Sequence, residues 1–258
     1  MNNLDVSIID VGNIYGNIST ASCLYPKSYT KKKREDISIR NRIAISKQYG
    51  FNPNYVFMAK GTNGNGSYKL LDRDFVYSYE DGLSALINED ILLITDDLVG
   101  VVIGHTFTDY PVIMMSDIKT GVSGVGYCSL DMIDNSLPMM VADSLLEVSG
   151  SSDYDIVTYI SACASDLSFD KYPIWIRNAK IWESAIKLED DGLYHVDLRK
   201  IIMRQLTDRN INHNVVFNVN DTINNPDYYS NYSKEKGRNF SGLFYKDNSK
   251  VLIKTKNR

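Results

Sequence analysis

Four closely spaced apolar runs between residues 91 and 127 constrain the fold more than any other feature of this 258-residue chain. The runs have the sequences ILLIT, LVGVVIG, PVIMM and GVSGVGY and contain few polar residues. Strands with one solvent-exposed face alternate apolar and polar residues, whereas strands that are covered on both faces are apolar throughout. We therefore expect these runs to form strands that are buried on both faces.

Strand and helix patterns interleave along the rest of the chain. The segment Val6–Val11 predicts a first strand, and residues 36–50 predict a helix. Residues 130–148 and 196–209 predict two further helices with apolar faces. Neither a linker nor an internal repeat is visible, so the sequence predicts one domain over residues 1–258. Its fold class is α/β in the mixed α+β sense, with mixed sheets packed against flanking helices.

Composition narrows the class of protein. The chain carries 28 Lys and Arg against 32 Asp and Glu, and 43% of its residues are hydrophobic, which is ordinary for a globular domain. No apolar stretch approaches the roughly 18–20 residues that a membrane span needs. The start, MNNLDVSIID, lacks the basic and apolar pattern of a signal peptide. Three scattered cysteines predict a reduced compartment and no disulfide framework. These residues are Cys23, Cys128 and Cys163.

Positive charge is concentrated near both ends of the chain. The N-terminal segment 27–42 and the C-terminal stretch 234–258, which includes a basic tail at 246–258, have a strong excess of Lys and Arg. Such polarity suits an acidic partner surface or nucleic acid, although solvated charged segments are the commoner explanation. A nucleic-acid module would add interleaved aromatic residues or a basic helix. Neither is visible, so nucleic-acid contact lacks support.

Short segments in a fixed order provide a resemblance to a known family. They are Asn41-Arg42, FMAKG at 57–61, DGL at 81–83, TFTDYPV at 106–112, GYCSLD at 126–131, YYS at 228–230 and KGR at 236–238. In these segments and their spacing, the chain resembles the laccase-domain family, also called polyphenol-oxidase-like. The resemblance covers about residues 35–245. It implies a laccase-domain-like sandwich and an enzyme of the purine nucleoside phosphorylase type.

The family's metal ligands are missing from this sequence. The resemblance implies zinc bound by two histidines and one cysteine from three loops, and those positions are Lys60, Asp109 and Gly126 here. A protonated lysine has no lone pair to offer, and glycine has no side chain. No histidine precedes His105 that could replace the first ligand. We therefore expect a degenerate family member, a pseudoenzyme without cofactor, metal or small-molecule substrate.

Two other chemical sites stay open as alternatives. The first is a replacement metal site made of His105, Asp109 and Cys128, which lie in two neighbouring apolar segments. The second is a nucleophilic Cys163 with His195 as its base. A buried free cysteine more often behaves as a small apolar residue, and a lone histidine is more often simply hydrogen-bonded.

The loss of the family's metal ligands favours a structural function over a catalytic one. Fold alone does not carry function, and abundant Asn, Ile, Lys and Tyr indicate an AT-rich genome. We expect a non-catalytic structural protein, a homo-oligomeric ring or connector component of a bacteriophage neck or tail. Its location would be the virion, assembled in the host cytoplasm, and its partners would be copies of itself and other virion proteins. The alternative is a metal-dependent purine nucleoside phosphorylase or deaminase with an altered active site.

A tyrosine-rich segment supplies the candidate interface residues. Tyrosine is favoured at protein interfaces, and basic residues follow this segment directly. A half-buried loop explains the same tyrosines equally well. The candidates are Tyr228, Tyr229, Tyr232, Lys236 and Arg238.

Overall fold

Two large β-sheets face each other in the computed structural model of the protein. The structure describes residues 4–14, 30–61, 64–79, 85–152, 155–173, 176, 179–235 and 237–247. Lys236, the segment 81–83 and residues 248–258 of the basic tail therefore lie outside the described residues. The first sheet has the strand order β1 (Leu4–Ile14), β14 (Arg238–Asp247), β6 (Val102–Phe107), β2 (Val56–Ala59) and β4 (Ala85–Ile87).

The second sheet contains the apolar runs. Its strand order is β13 (Val215–Phe217), β9 (Ile156–Ile160), β7 (Val112–Asp117), β8 (Val122–Tyr127), β5 (Ile91–Thr95) and β3 (Tyr68–Leu70). Both sheets mix parallel and antiparallel pairs. A small antiparallel sheet adds β10 (Leu167–Phe169), β12 (Tyr194–Val196) and β11 (Ile186–Leu188).

Helices cover the outer faces of the two sheets, with one exception. The helices are α1 (Lys31–Tyr49), α2 (Arg73–Tyr77), α3 (Leu130–Asp134), α4 (Leu137–Ser149), α5 (Ala179–Trp182) and α6 (Leu198–Asp208). The exception is α2, whose Phe75 and Val76 pack in the layer between the sheets. Helix α1 begins earlier than the sequence predicted, because the Thr30 side chain accepts a hydrogen bond from the Lys33 amide at 3.2 Å. The helix predicted over 130–148 is two helices, separated at Ser136, whose φ is 64°. Among the described helices, none is long and apolar enough to cross a membrane.

The core has three apolar layers, which explains the uninterrupted apolar runs. One layer lies between α1 and the first sheet, the second lies between the two sheets, and the third lies between the second sheet and α4 and α6. Strand β7 is buried at every position, with Met114 in the middle layer and Ile113 against the helices. The prediction of strands covered on both faces is confirmed, as is the single mixed α+β domain.

Candidate functional site

The ends of strands β2, β6 and β8 meet at one edge of the sandwich, which we call the cleft. His105, near the end of β6, lies between the other two strand ends. Its ring stacks on Tyr127 at the end of β8, with centroids 4.3 Å apart and planes 5° apart. Its other neighbour is the backbone of Ala59 at the end of β2, with which it forms a hydrogen bond. The fold therefore brings together the three segments that the resemblance identified.

Asp109 is the most highly connected polar residue of the cleft. Its side chain is only 5% exposed. One carboxylate oxygen accepts hydrogen bonds from Ser230 Oγ at 2.5 Å and Thr222 Oγ1 at 3.4 Å. The other accepts from the backbone amides of Asn231 and Tyr232 at 2.9 and 3.1 Å. Asp109 thus ties the turn after β6 to a loop more than 100 residues away in sequence.

Gly126 does not face the cleft. A Cβ atom built on Gly126 would lie 2.8 Å from Val141 Cγ2 and 3.3 Å from Leu137 Cδ2, both on α4. Because side chains alternate along a strand, its neighbour Tyr127 points to the opposite side, towards His105. Tyr127 is therefore the cleft residue that the ungapped alignment missed. The alternation of GVSGVGY, with Gly124 and Gly126 on the helix-facing side, is the sequence signal that could have found it.

Lys60 lies at the exposed rim of the cleft, directly after β2. Its backbone amide donates a hydrogen bond to the Ile87 carbonyl at 2.8 Å, which fixes the chain at this point. Arg238 begins β14 and lies close enough to Tyr127 to oppose, through its positive charge, the rise in the Tyr127 pKa that burial causes.

Burial determines the protonation states of the side chains in the cleft. It lowers the pKa of His105 to about 4, because its effect exceeds that of the hydrogen bonds to the backbone of Thr106 and Ala59, which raise the pKa. The imidazole is therefore neutral at pH 7, with Nδ1 2.5 Å from the Thr106 carbonyl oxygen. Burial also raises the pKa values of Tyr127 and Cys128, so both side chains keep their protons.

The residues of the cleft do not fit a zinc ion. Zinc prefers thiolate, imidazole and carboxylate donors arranged around one point. Both Asp109 oxygens already accept hydrogen bonds, His105 is bonded to backbone groups, and Cys128 packs in the apolar layer between the second sheet and the helices. Across the described part of the chain, no group of three His, Cys, Asp or Glu side chains is arranged to hold a metal. The replacement site of His105, Asp109 and Cys128 is therefore not assembled.

Cys163 and His195 do not form a nucleophile–base pair either. Burial raises the pKa of the fully buried Cys163 thiol to about 12, although Arg199 beside it acts in the opposite direction. Both ring nitrogens of His195 are bonded elsewhere, one to Asp166 and the other to Asp191 at 3.0 Å. The structure therefore separates these two residues into different local networks.

The tyrosines proposed as interface residues differ in burial. Tyr228 is only 8% exposed and packs in the layer between the sheets, where its hydroxyl accepts a bond from Asn218 at 3.0 Å. Its ring is therefore not available to a partner. The ring of Tyr229 is half-buried over Gly237, whose added Cβ would come within 1.9 Å of it. Tyr232 is 49% exposed, with its hydroxyl 2.6 Å from Ser168 Oγ.

Comparison with solved structures identifies the fold. No family model matches the chain, and a search of curated proteins also finds no match. YfiH of Bacillus licheniformis matches with a TM-score of 0.73 at 16% identity, over 93% of this chain and 92% of that one. The chain has the YfiH-like, laccase-domain fold. YlmD of Geobacillus stearothermophilus has a TM-score of 0.72 at 12% identity, covering 94% and 92%. A DUF152 protein of Neisseria meningitidis has a TM-score of 0.65 at 13% identity, covering 95% of each chain.

The comparisons overturn one expectation. We expected a structural component of a bacteriophage neck or tail, and that expectation is wrong. Three solved structures that match the chain over nearly its whole length are bacterial YfiH, YlmD and DUF152 proteins. Coding bias and a lost metal site, the two features behind this expectation, do not distinguish a viral chain from a cellular one. The expected virion location and virion partners lose their basis with it.

Proposed function

We propose that the chain is a catalytically inactive, degenerate member of the laccase-domain family. The observation that carries this proposal is the environment of Asp109, which occupies the cysteine ligand position implied by the resemblance. Three bonds of 3.1 Å or less fasten its carboxylate to Ser230, Asn231 and Tyr232. Asp109, at the position where the resemblance implies a metal-binding cysteine, therefore fixes a loop by hydrogen bonds.

The other cleft residues support the same proposal. A hydrolytic or phosphorolytic reaction needs a group that activates the attacking oxygen, either a metal ion or a positioned base. Neutral His105 is the nearest candidate base, but its ring is stacked on Tyr127 and hydrogen-bonds to the backbone of both Thr106 and Ala59. Lys60 brings a cation where the resemblance places a histidine. The described part of the cleft thus offers binding groups but no activated one.

A turnover assay tests this proposal. Purified full-length protein is incubated with adenosine or inosine, with and without phosphate, and the released base or deaminated nucleoside is quantified by chromatography. We expect no product above that of a heat-denatured control, both with and without added zinc. A His105→Phe variant retains an aromatic ring for the stack on Tyr127 and removes both nitrogens. Product formed by the wild type and abolished in this variant would overturn the proposal.

A further inference from the structure

A second site lies at the opposite end of the sandwich. A cavity of about 960 Å³ opens between the two sheets, in the size range of small-molecule sites. Strand β14 contacts the cleft through Arg238 and the cavity through Tyr245, seven residues further on. At about 3.3 Å per strand residue, roughly 23 Å separates the two places. The cavity is therefore separate from the cleft.

The walls of the cavity are apolar and aromatic. Strands β1 and β14 of the first sheet lie across the cavity from β7 and β9 of the second sheet. The ring of Tyr159 is held in place, because its hydroxyl donates a hydrogen bond to the Asp10 carboxylate at 3.1 Å. Two aromatic rings and a thioether provide surfaces that suit a flat aromatic group. The wall residues are Val6, Ile8, Met114, Val157, Tyr159 and Tyr245.

The charged side chains that face the cavity favour neither sign of ligand charge. Asp96 and Lys119 both line the cavity, and their charges are opposite. Asp5 alternates with the wall residues of β1, so its side chain points to the outer face of the first sheet. Asp117 pairs with residues of β8 and β9 that pack against the helices, so its carboxylate also points outwards. A charged ligand would therefore lose its hydration without gaining a net opposite charge.

A chain of three hydroxyl groups provides the polar contact of the cavity. Ser123 Oγ lies 2.6 Å from the Tyr245 hydroxyl and 2.7 Å from Ser116 Oγ. Three hydroxyls carry three hydrogens, and each of the two bonds uses one of them. Within the described part of the chain, these hydroxyls form no other hydrogen bond. One hydroxyl hydrogen is therefore left for a group from outside the protein.

The remaining hydrogen lies at the surface of the cavity. If Ser123 accepts one bond and donates the other, the remaining hydrogen belongs to Ser116 or Tyr245, and both of these residues line the cavity. If Ser123 accepted both bonds, its own hydrogen would stay unpaired on a fully buried side chain, which costs free energy. The first arrangement is therefore favoured, and it offers a donor to an acceptor oxygen on a ligand.

The entrance of the cavity has exposed apolar side chains. Ile118 and Val216 line the cavity and are 69% and 53% exposed. A ligand that fills the cavity would cover part of this apolar surface, and removing that surface from water favours binding.

We propose that this cavity binds a neutral aromatic compound that carries a hydrogen-bond acceptor. The aromatic part of the ligand lies between the walls of the two sheets. Its acceptor, a carbonyl, ether or hydroxyl oxygen, takes the remaining hydrogen of the hydroxyl chain of Ser116, Ser123 and Tyr245. A ligand of the same shape with a full charge binds more weakly, because burial of that charge is not compensated.

Equilibrium dialysis of the full-length protein against three naphthalenes tests the preference for a neutral ligand. 2-Acetylnaphthalene is neutral and has a carbonyl acceptor, 2-(aminomethyl)naphthalene is a cation, and 2-naphthoate is an anion. The bound ligand is quantified by chromatography. We expect each ion to bind at least about tenfold more weakly than the ketone. An ion that binds as tightly as the ketone, or no detectable binding of the ketone, would overturn the proposal.

Removal of the hydroxyl chain tests the role of the acceptor. The triple variant Ser116→Ala, Ser123→Ala and Tyr245→Phe removes all three hydroxyls together, so that none of them is left without its partner. 2-Ethylnaphthalene, which has no acceptor, is the control ligand. We expect the affinity for 2-acetylnaphthalene relative to 2-ethylnaphthalene to fall about three- to tenfold in the variant. An unchanged ratio would refute the assigned contact.

A pair of tryptophan variants tests the location. Val216→Trp places a large ring at the entrance of the cavity, at a position exposed enough to tolerate it. Val219→Trp is the matched control, because Val219 is 80% exposed and does not line the cavity. We expect the first variant to weaken 2-acetylnaphthalene binding at least about tenfold, and the second to leave it unchanged. Binding that survives Val216→Trp would show that the ligand occupies another place.

Discussion

Removal of the Asp109 carboxylate is the perturbation whose cost follows most directly from the structure. Asp109→Ala deletes the acceptor for Ser230 Oγ and for the backbone amides of Asn231 and Tyr232. A hydrogen bond to a charged group contributes about 1.5–3 kcal/mol, and a buried donor left without a partner costs about 1–3 kcal/mol. These contributions are not additive, so we expect a loss of about 3–5 kcal/mol in the free energy of unfolding.

Urea unfolding followed by circular dichroism measures this loss, with Asp97→Ala as the matched control. Asp97 likewise accepts a side-chain hydrogen bond, from Arg73 Nε at 2.9 Å. Both of these side chains are exposed, so removal of the Asp97 carboxylate should cost less than about 1 kcal/mol. If Asp109→Ala were no more costly than Asp97→Ala, the structural role of Asp109 would be refuted. If Asp109→Ala increased the free energy of unfolding, the structural role would be contradicted more strongly, since a carboxylate kept for function is often held at a cost to stability.

Two further predictions concern other parts of the fold. Hydrogen bonds to Asp166 and Asp191 raise the pKa of His195 above its ordinary value of 6.5. The contribution of these bonds to the free energy of unfolding is therefore fully present below pH 6.5 and is lost as the pH rises through the higher folded-state pKa. Urea midpoints of the wild type should fall over that pH range relative to those of His195→Gln, and parallel pH profiles would contradict this. Gly126→Ala should lower the free energy of unfolding by about 1–3 kcal/mol, because the added methyl meets Val141 Cγ2 at 2.8 Å. An unchanged melting temperature would show that α4 moves aside freely.

The sequence predicted the layers of the fold better than it predicted the cleft. Apolar runs such as PVIMM determine burial through their composition, and burial on both faces requires a covering layer on each side of the sheet. The choice between Gly126 and Tyr127 depends instead on the direction of alternation along β8, and an ungapped alignment cannot show a shift of one residue. The sequence also could not predict that Asp109 fastens the loop at 230–232, because the pairing of β14 with β6 brings that distant loop close to it. Burial of Tyr228 depends on the same long-range packing.

The metal content of the purified protein tests the central claim most directly. The full-length chain is equilibrated with a slight excess of zinc, passed through a desalting column, and its metals are quantified by elemental mass spectrometry. Because the carboxylate of Asp109 is already hydrogen-bonded, His105 is bonded to backbone groups and Lys60 is a cation, we predict zinc far below one equivalent per chain. About one zinc per chain that is retained by the wild type and lost in Asp109→Asn would contradict the account.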